Sequence, residues 1–274
     1  MTESPVGSFG AAPEPVEVAP EVRALLVRLR DGVFDAPSPE GATHLLEKVA
    51  REMTSLLGRY DRDTLVAWRQ LGQIRNESGE WAAAVHLLGQ VAADMAQVLG
   101  PADRESLHAQ ADLAFAIGNA GSGEDAAARL RHLLPSLHAE FGPQHPMTLT
   151  AQVQLAVNTA RTGDVLTAVG DLVQLLPVIE QAVGDEGLTL SEARAELGRL
   201  VPQWRRVTGG AALAPVMAVA MVHRLIVWDF DSDQEADAFL TELERATGRK
   251  GLAGRLAAVP DGMTAPHATA MVLA

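Results

Sequence analysis

An apolar residue followed by glycine recurs four times at a fixed spacing of 42 residues: Leu57-Gly58, Leu99-Gly100, Phe141-Gly142 and Val183-Gly184. Three further columns keep the same step: Leu71, Leu113, Leu155 and Leu197; Gly79, Gly121 and Gly163; Ala84, Ala126 and Ala168. A fixed period of about 20 to 50 residues arises when supersecondary units, each too small to bury its own apolar face, stack on their neighbours. Leu113 and Leu155 are therefore expected at buried helix–helix contacts. The function of such a chain is to be sought first on an extended surface.

Each period carries the signals of two helices. Asp61 or Asp63 caps a first helix that runs to about Glu77, Ser78-Gly79 ends it, and a second helix follows from about Glu80 to Leu99. In that second helix Ala84, Leu87, Leu88, Val91, Met95 and Leu99 fall at three- and four-residue steps, which is one apolar stripe. Counting backwards by the same step gives an atypical first pair, Glu21–Phe34 and Pro39–Leu57. Counting forwards gives a final first-type helix, Leu188–Val207, whose partner is degraded by Gly209, Gly210 and Pro215. The expectation is nine helices, with a tenth if the apolar segment after Gly210 is helical.

Composition narrows the classes of function. The 274-residue chain has a formal charge of −13, and lysine occurs only at Lys48 and Lys250, so nearly all positive charge is arginine. An acidic chain without a basic run argues against nucleic acid and against an anionic membrane surface as partners, since both require clusters of Lys and Arg. There is no cysteine, which removes disulfides, thiolate nucleophiles and Cys-ligated metals. The first 20 residues are rich in Pro, Glu and Ala, without a basic apolar leader, and read as a disordered arm on a cytoplasmic protein.

The residues around the second full repeat, Trp68, Leu71, Gly72, Gly79, Ala84 and Leu88, resemble the tetratricopeptide signature in type and relative spacing. The longer step, and the run from Phe141 to Leu149 followed by Ala151 and Leu155-Ala156, resemble the kinesin-light-chain class of these repeats. The shared core recurs at Thr64-Leu65-Ala67-Leu71 and Ser106-Leu107-Ala109-Leu113, and the resemblance covers about Glu21 to Val207. It departs from that class where an adjacent Asn pair is replaced by Arg69-Gln70, Ala111-Asp112, Val153-Gln154 and Ala195-Glu196. The resemblance implies an all-α solenoid of stacked antiparallel helix pairs that binds proteins or peptides, with the first helix of each pair lining a concave groove. The groove residues it implies are Arg69, Gln73, Asn76, His108, Phe115, Asn119, Val153, Val157, Arg161 and Arg199. Phe115, Val153 and Val157 flanked by arginines suit an amphipathic helix or an extended acidic-apolar peptide. The alternative is that Phe115 and the valines pack between helices.

The chain after residue 207 has a different pattern. Residues 208–222 read as an apolar linker or capping helix, and 223–274 as a small α/β tail. Arg224–Phe230 reads as a buried strand, and Ser232 or Asp233 caps a helix to about Thr247 with Ala236, Phe239, Leu240 and Leu243 inward. Leu256–Val259 and Ala268–Leu273 are short runs able to pair with the strand. The uncharged segment Ala211–Val222 has three ways to be buried: as the missing second helix, in the protein's own groove, or in a homodimer contact.

No catalytic motif or cofactor fingerprint appears, so no enzyme activity, cofactor or metal is expected. Asp229, Asp231 and Asp233 alternate after an apolar run, but the further acids and the lysine of an aspartyl phosphatase have little chain left to occupy. An EF-hand fails at Gln234 and Leu240, where Gly and Glu are needed. The eight histidines read as surface or turn residues. The expected role is a scaffold or adaptor that binds a partner's peptide or helix. Two alternatives are a regulatory module whose tail occupies the groove until it is displaced, and a biosynthetic accessory protein or enzyme that uses the groove as a cavity.

Overall fold

The structure is a computed structural model that describes residues 18–35, 39–183, 187–227 and 229–274. The expected N-terminal arm falls mostly on residues 1–17, and Gly184 and Trp228 likewise lie outside the described residues. By its internal contacts the chain divides into two units, residues 1–109 and 110–274.

The first unit holds α1 (Pro20–Asp31), a short 3-10 helix (Gly32–Asp35), α2 (Pro39–Leu57), α3 (Arg62–Glu77), α4 (Trp81–Val98) and the start of α5 (Arg104–Asn119). The second holds the rest of α5, then α6 (Gly123–Phe141), α7 (Pro146–Arg161), α8 (Val165–Val183), α9 (Leu188–Val207), α10 (Pro215–Val227), α11 (Asp233–Thr247), α12 (Leu252–Leu256) and α13 (Ala265–Leu273). Helices adjacent in sequence pack on one another, α2 on α3 and α3 on α4 in the first unit, and α6 through α10 in series in the second.

The 42-residue step is a packing period. Leu46, Leu88, Leu130 and Leu172 on successive second helices are all fully enclosed, as are Met53, Met95, Leu137 and Ile179, and Ala67, Ala109, Ala151 and Ala193 on the first helices. The glycine columns end helices in the left-handed region, with φ of 94°, 97° and 91° at Gly58, Gly100 and Gly142, and 81°, 97° and 98° at Gly79, Gly121 and Gly163. Caps recur on the same step. Asp61 accepts from the Asp63 N–H at 2.9 Å, Asp103 from the Glu105 N–H at 2.9 Å, and the His145 Nδ1 from the Met147 N–H at 3.2 Å. The Leu71 column is less uniform than the sequence implies: Leu71 and Leu197 are fully enclosed, whereas Leu113 and Leu155 are half-buried.

Among the described residues there is no strand, so the expected α/β tail is a helical one. The expected strand Arg224–Phe230 begins inside α10. Pro215 opens that helix, and Met217, Met221 and Leu225 continue one stripe at four-residue steps across the boundary drawn at residue 222. Leu225 is buried, while Ile226 and Val227 point outward, 38% and 46% exposed, where a buried strand would have enclosed them. Leu256 ends α12 and Ala268–Leu273 lies within α13, which packs on α10. The helix of the tail is α11, capped by Ser232 accepting from the Glu235 N–H at 3.3 Å, with Ala236, Phe239 and Leu243 buried.

The C-terminal half of the segment Ala211–Val222 is largely enclosed within the second unit, whereas Ala212 and Pro215 are exposed. Met217, Ala220, Met221 and Val222 belong to the same core as Leu197, Leu200 and Val201 of α9. A Cβ on Gly198 would lie 2.6 Å from the Ala220 carbonyl oxygen, so α10 seats backbone-close on α9. These side chains are therefore not on the surface for a second subunit to meet. The most apolar long helix is α8, whose window Val165–Ala182 is long and apolar enough to cross a membrane. Its stripe Val165, Ala168, Val169, Leu172, Leu176 and Ile179 is enclosed in that core, while Leu166 is 50% exposed.

Candidate binding face

On the first helices, positions three or four residues apart share a face, and the 42-residue step relates the same position from helix to helix. One such column, Gln73, Phe115, Val157 and Arg199, has no fully buried member. The next column outward, Glu77, Asn119, Arg161 and Gln203, is likewise accessible, as are His108, Thr150 and Glu192. The column one turn inward is more closed: Ala111 and Val153 are fully enclosed, the Arg69 side chain is only 12% exposed, and Ala195 is half-buried.

These positions sort the expected groove residues. In the first unit Arg69 pairs with Glu105 at 3.6 Å, Gln73 donates to Glu77 at 3.2 Å, and Asn76 and His108 are half-buried. In the second unit Phe115, Asn119 and Val157 are half-buried and Arg199 is exposed. Val153 belongs to the core with Leu149 and Leu197, so it holds the helices together and leaves the candidate face.

Arg161 has a structural task. Its Nη1 donates to the Gly118 carbonyl at 2.8 Å, near the end of α5, a carbonyl that also accepts from the Gly121 N–H at 3.1 Å. Beside it the fully buried Asn158 donates from Nδ2 to the Gln154 carbonyl at 2.7 Å and presses on Gly118, where a Cβ would lie 2.5 Å from Asn158 Oδ1. Asn158 escaped the sequence reading because its column otherwise holds Ile74, Ala116 and Leu200, and a lone polar residue in it carries no signal. Arg199 is held bidentately by Glu196, at 2.8 and 2.6 Å, and that pairing keeps its guanidinium firmly charged.

A second kind of surface lies between successive second helices. In the first unit Trp68, Leu87, Gln90, Val91 and Asp94 line a furrow of about 260 Å³ whose mouth is crossed by the Arg59–Asp94 ion pair at 2.9 Å. In the second unit the positions two repeats later, among them Gln152, Asp171, Gln174, Leu175 and Val178, line one of about 390 Å³. The Asp171 carboxyl there is pushed up, by burial first and by Asp164 second.

Acidic side chains of the tail cap and pair. Asp229 meets Arg224 at 3.4 Å, and Glu235 accepts from the Asp231 N–H at 3.1 Å. No cluster of three or more His, Asp or Glu residues suited to a metal ion occurs among the described residues.

No family model matches the sequence, and no curated protein does. Solved structures do. A Podosopora anserina protein described as a kinesin light chain with nearly identical TPR-like repeats superposes with a TM-score of 0.53 at 21% identity, over 85% of this chain and 98% of that one. A single-substitution variant of it superposes equally well, over 83% and 95% of the two chains. With the helix pairs, glycine columns and enclosed columns described above, these similarities give the chain the TPR-like helical-repeat fold.

Proposed function

We propose that the chain is a protein–protein interaction scaffold that takes a peptide or helix of a partner on the first helices of its second unit, along α5, α7 and α9. The observation that carries this reading is that Phe115, Val157 and Arg199 stay accessible on the successive first helices α5, α7 and α9 of the second unit, with Asn119 and Arg161 accessible one turn outward, while Ala111 and Val153 one turn inward are closed by packing. Half-exposed apolar groups bordered by an amide and arginines suit a ligand that alternates apolar and polar side chains. Arg161 contributes less charge to that face than its position implies, because it is engaged in holding neighbouring elements together.

The test is a peptide-display selection on the whole chain, followed by affinity measurements on Phe115→Ala combined with Val157→Thr, the latter nearly isosteric. The expected result is that selected peptides lose at least about tenfold in affinity while the circular dichroism stays helical. Affinities equal to the parent's would remove the face from consideration.

A second reading has its own observation. The tail helix α11 is tied beside α9 by Arg205–Glu242 at 3.0 Å and to α10 by Arg224–Glu235 at 3.0 Å, and it borders the same cleft as Arg199. In this reading the tail regulates access to the last first-type helix. Arg205→Ala would then loosen α11 and tighten binding of the selected peptides.

A further inference from the structure

Between α9, α10 and α11 of the second unit lies an open cleft of about 460 Å³. Arg199 and Arg206 come to it from α9, Arg224 from α10 and Arg245 from α11, and it is floored in part by Phe239. In a chain of formal charge −13, four arginines in one cleft run against the overall charge.

The carboxylates lining the cleft are already engaged. Glu235 accepts from Arg224 at 3.0 Å and from the Asp231 N–H at 3.1 Å, and these two contacts hold its carboxyl below the ordinary range. Glu242 accepts from Arg205 at 3.0 Å and from Arg245 at 2.6 Å. Arg206 forms no ion pair among the described residues, and Arg199 is hydrogen-bonded by Glu196 of its own helix, three residues away, with the Asp229 carboxylate also acting on its charge.

The floor is rigid. Arg224 is 6% exposed, with its guanidinium carbon 4.2 Å from the Phe230 ring centroid and 5.0 Å from that of Phe239, and the two rings meet edge to face at 5.2 Å. The rim therefore offers the exposed guanidinium groups of Arg199, Arg206 and Arg245 above a packed aromatic base. Guanidinium groups bind carboxylates through paired N–H donors, and apolar side chains between those carboxylates would meet Phe239 and Ala238.

We infer that this cleft binds an acidic peptide segment, with Arg199 and Arg206 as its carboxylate receptors. The inference rests on the protein-binding reading for the class of ligand, but not on Phe115 or Val157. A nucleic-acid strand suits the cleft less well, because its closely spaced phosphates would meet Glu235, Glu242 and the net negative charge of the chain.

The experiment is fluorescence anisotropy on the full chain with a fluorescein-labelled peptide of alternating glutamate and alanine. The control peptide alternates glutamine and alanine. The glutamate peptide is expected to bind and the glutamine peptide not, with affinity falling as salt rises. Arg199→Gln with Arg206→Gln should weaken binding by about tenfold or more. Glu196→Gln, which releases the Arg199 guanidinium, should tighten it several-fold. Phe115→Ala should leave it unchanged, and circular dichroism should be that of the parent throughout.

Failure of the glutamate peptide to bind, equal binding by the arginine variants, or full displacement by inorganic phosphate or a single-stranded oligonucleotide would each overturn the inference. If display-selected peptides still depend on Phe115 in that event, the binding-face reading survives. If they do not while the glutamate peptide depends on Arg206, the cleft stands and the face falls.

Discussion

His223 sits at the joint of α9 and α10, its Nε2 3.2 Å from the Ser191 hydroxyl, with Arg194 beside it and Glu180 of α8 pairing Arg194 at 3.2 Å. Burial first, and Arg194 second, hold its imidazole below the ordinary value. The folded state thus favours neutral His223, and the unfolded chain takes up the proton more readily. Its contribution to stability is present above about pH 6.5 and is lost as the pH falls from there towards the lowered folded value. Thermal melts should show Tm falling on acidification through that window, with a shallower fall in His223→Gln; identical slopes would exclude this residue as the cause. Gly118 makes a second residue-level case. Gly118→Ala pushes a methyl onto Asn158 and disturbs the Arg161 contact, so denaturant unfolding should show a loss of about 1–3 kcal/mol. At this scale the sequence was a partial guide. The accessible column Gln73, Phe115, Val157 and Arg199 followed from the period, but the engagement of Arg69 and Arg161 did not, because a partner more than 30 residues away leaves no local pattern.

The helices themselves were legible wherever glycine and a cap coincide. Gly79, Gly121 and Gly163 stop the first helices, and Asp61, Asp103 and His145 start them. The tail was misread for a physical reason: Leu225, Ile226 and Val227 form a short continuous apolar run, which a buried strand and a half-buried helix end both accommodate. What decides is packing beyond the run, since Met217, Ala220 and Met221 fix the helical phase against α9. Gly198→Ala tests that joint. The nearest atom to the new methyl is a backbone carbonyl, which moves only if α10 moves, so a loss of about 1–3 kcal/mol is expected. Leu172→Ala on α8 should cost about 2–5 kcal/mol, since the side chain is fully enclosed. Leu155→Ala, at a half-buried position, should cost clearly less; equal losses in matched denaturant curves would show that the burial pattern is wrong.

At the scale of the whole chain the architecture was written in the period, because stacked pairs need the same buried positions at the same step. The period also put a second helix after α9, where α10 packs, but its length to Val227 could not be read because that helix has no glycine column of its own. Truncation after Thr208 strips α9 of Met217, Met221 and Val222, and should yield a protein that melts earlier and associates through the uncovered core; an unchanged melt and mass would show that α10 is not part of the fold's core.

In the proposed function the first helices of the second unit, α5, α7 and α9, carry the binding face. Hydrogen–deuterium exchange of the full chain with a display-selected peptide measures it directly. Protection is expected on α5, α7 and α9 around Phe115, Val157 and Arg199, and protection centred instead on α6 and α8 along the furrow of Leu175 would contradict it.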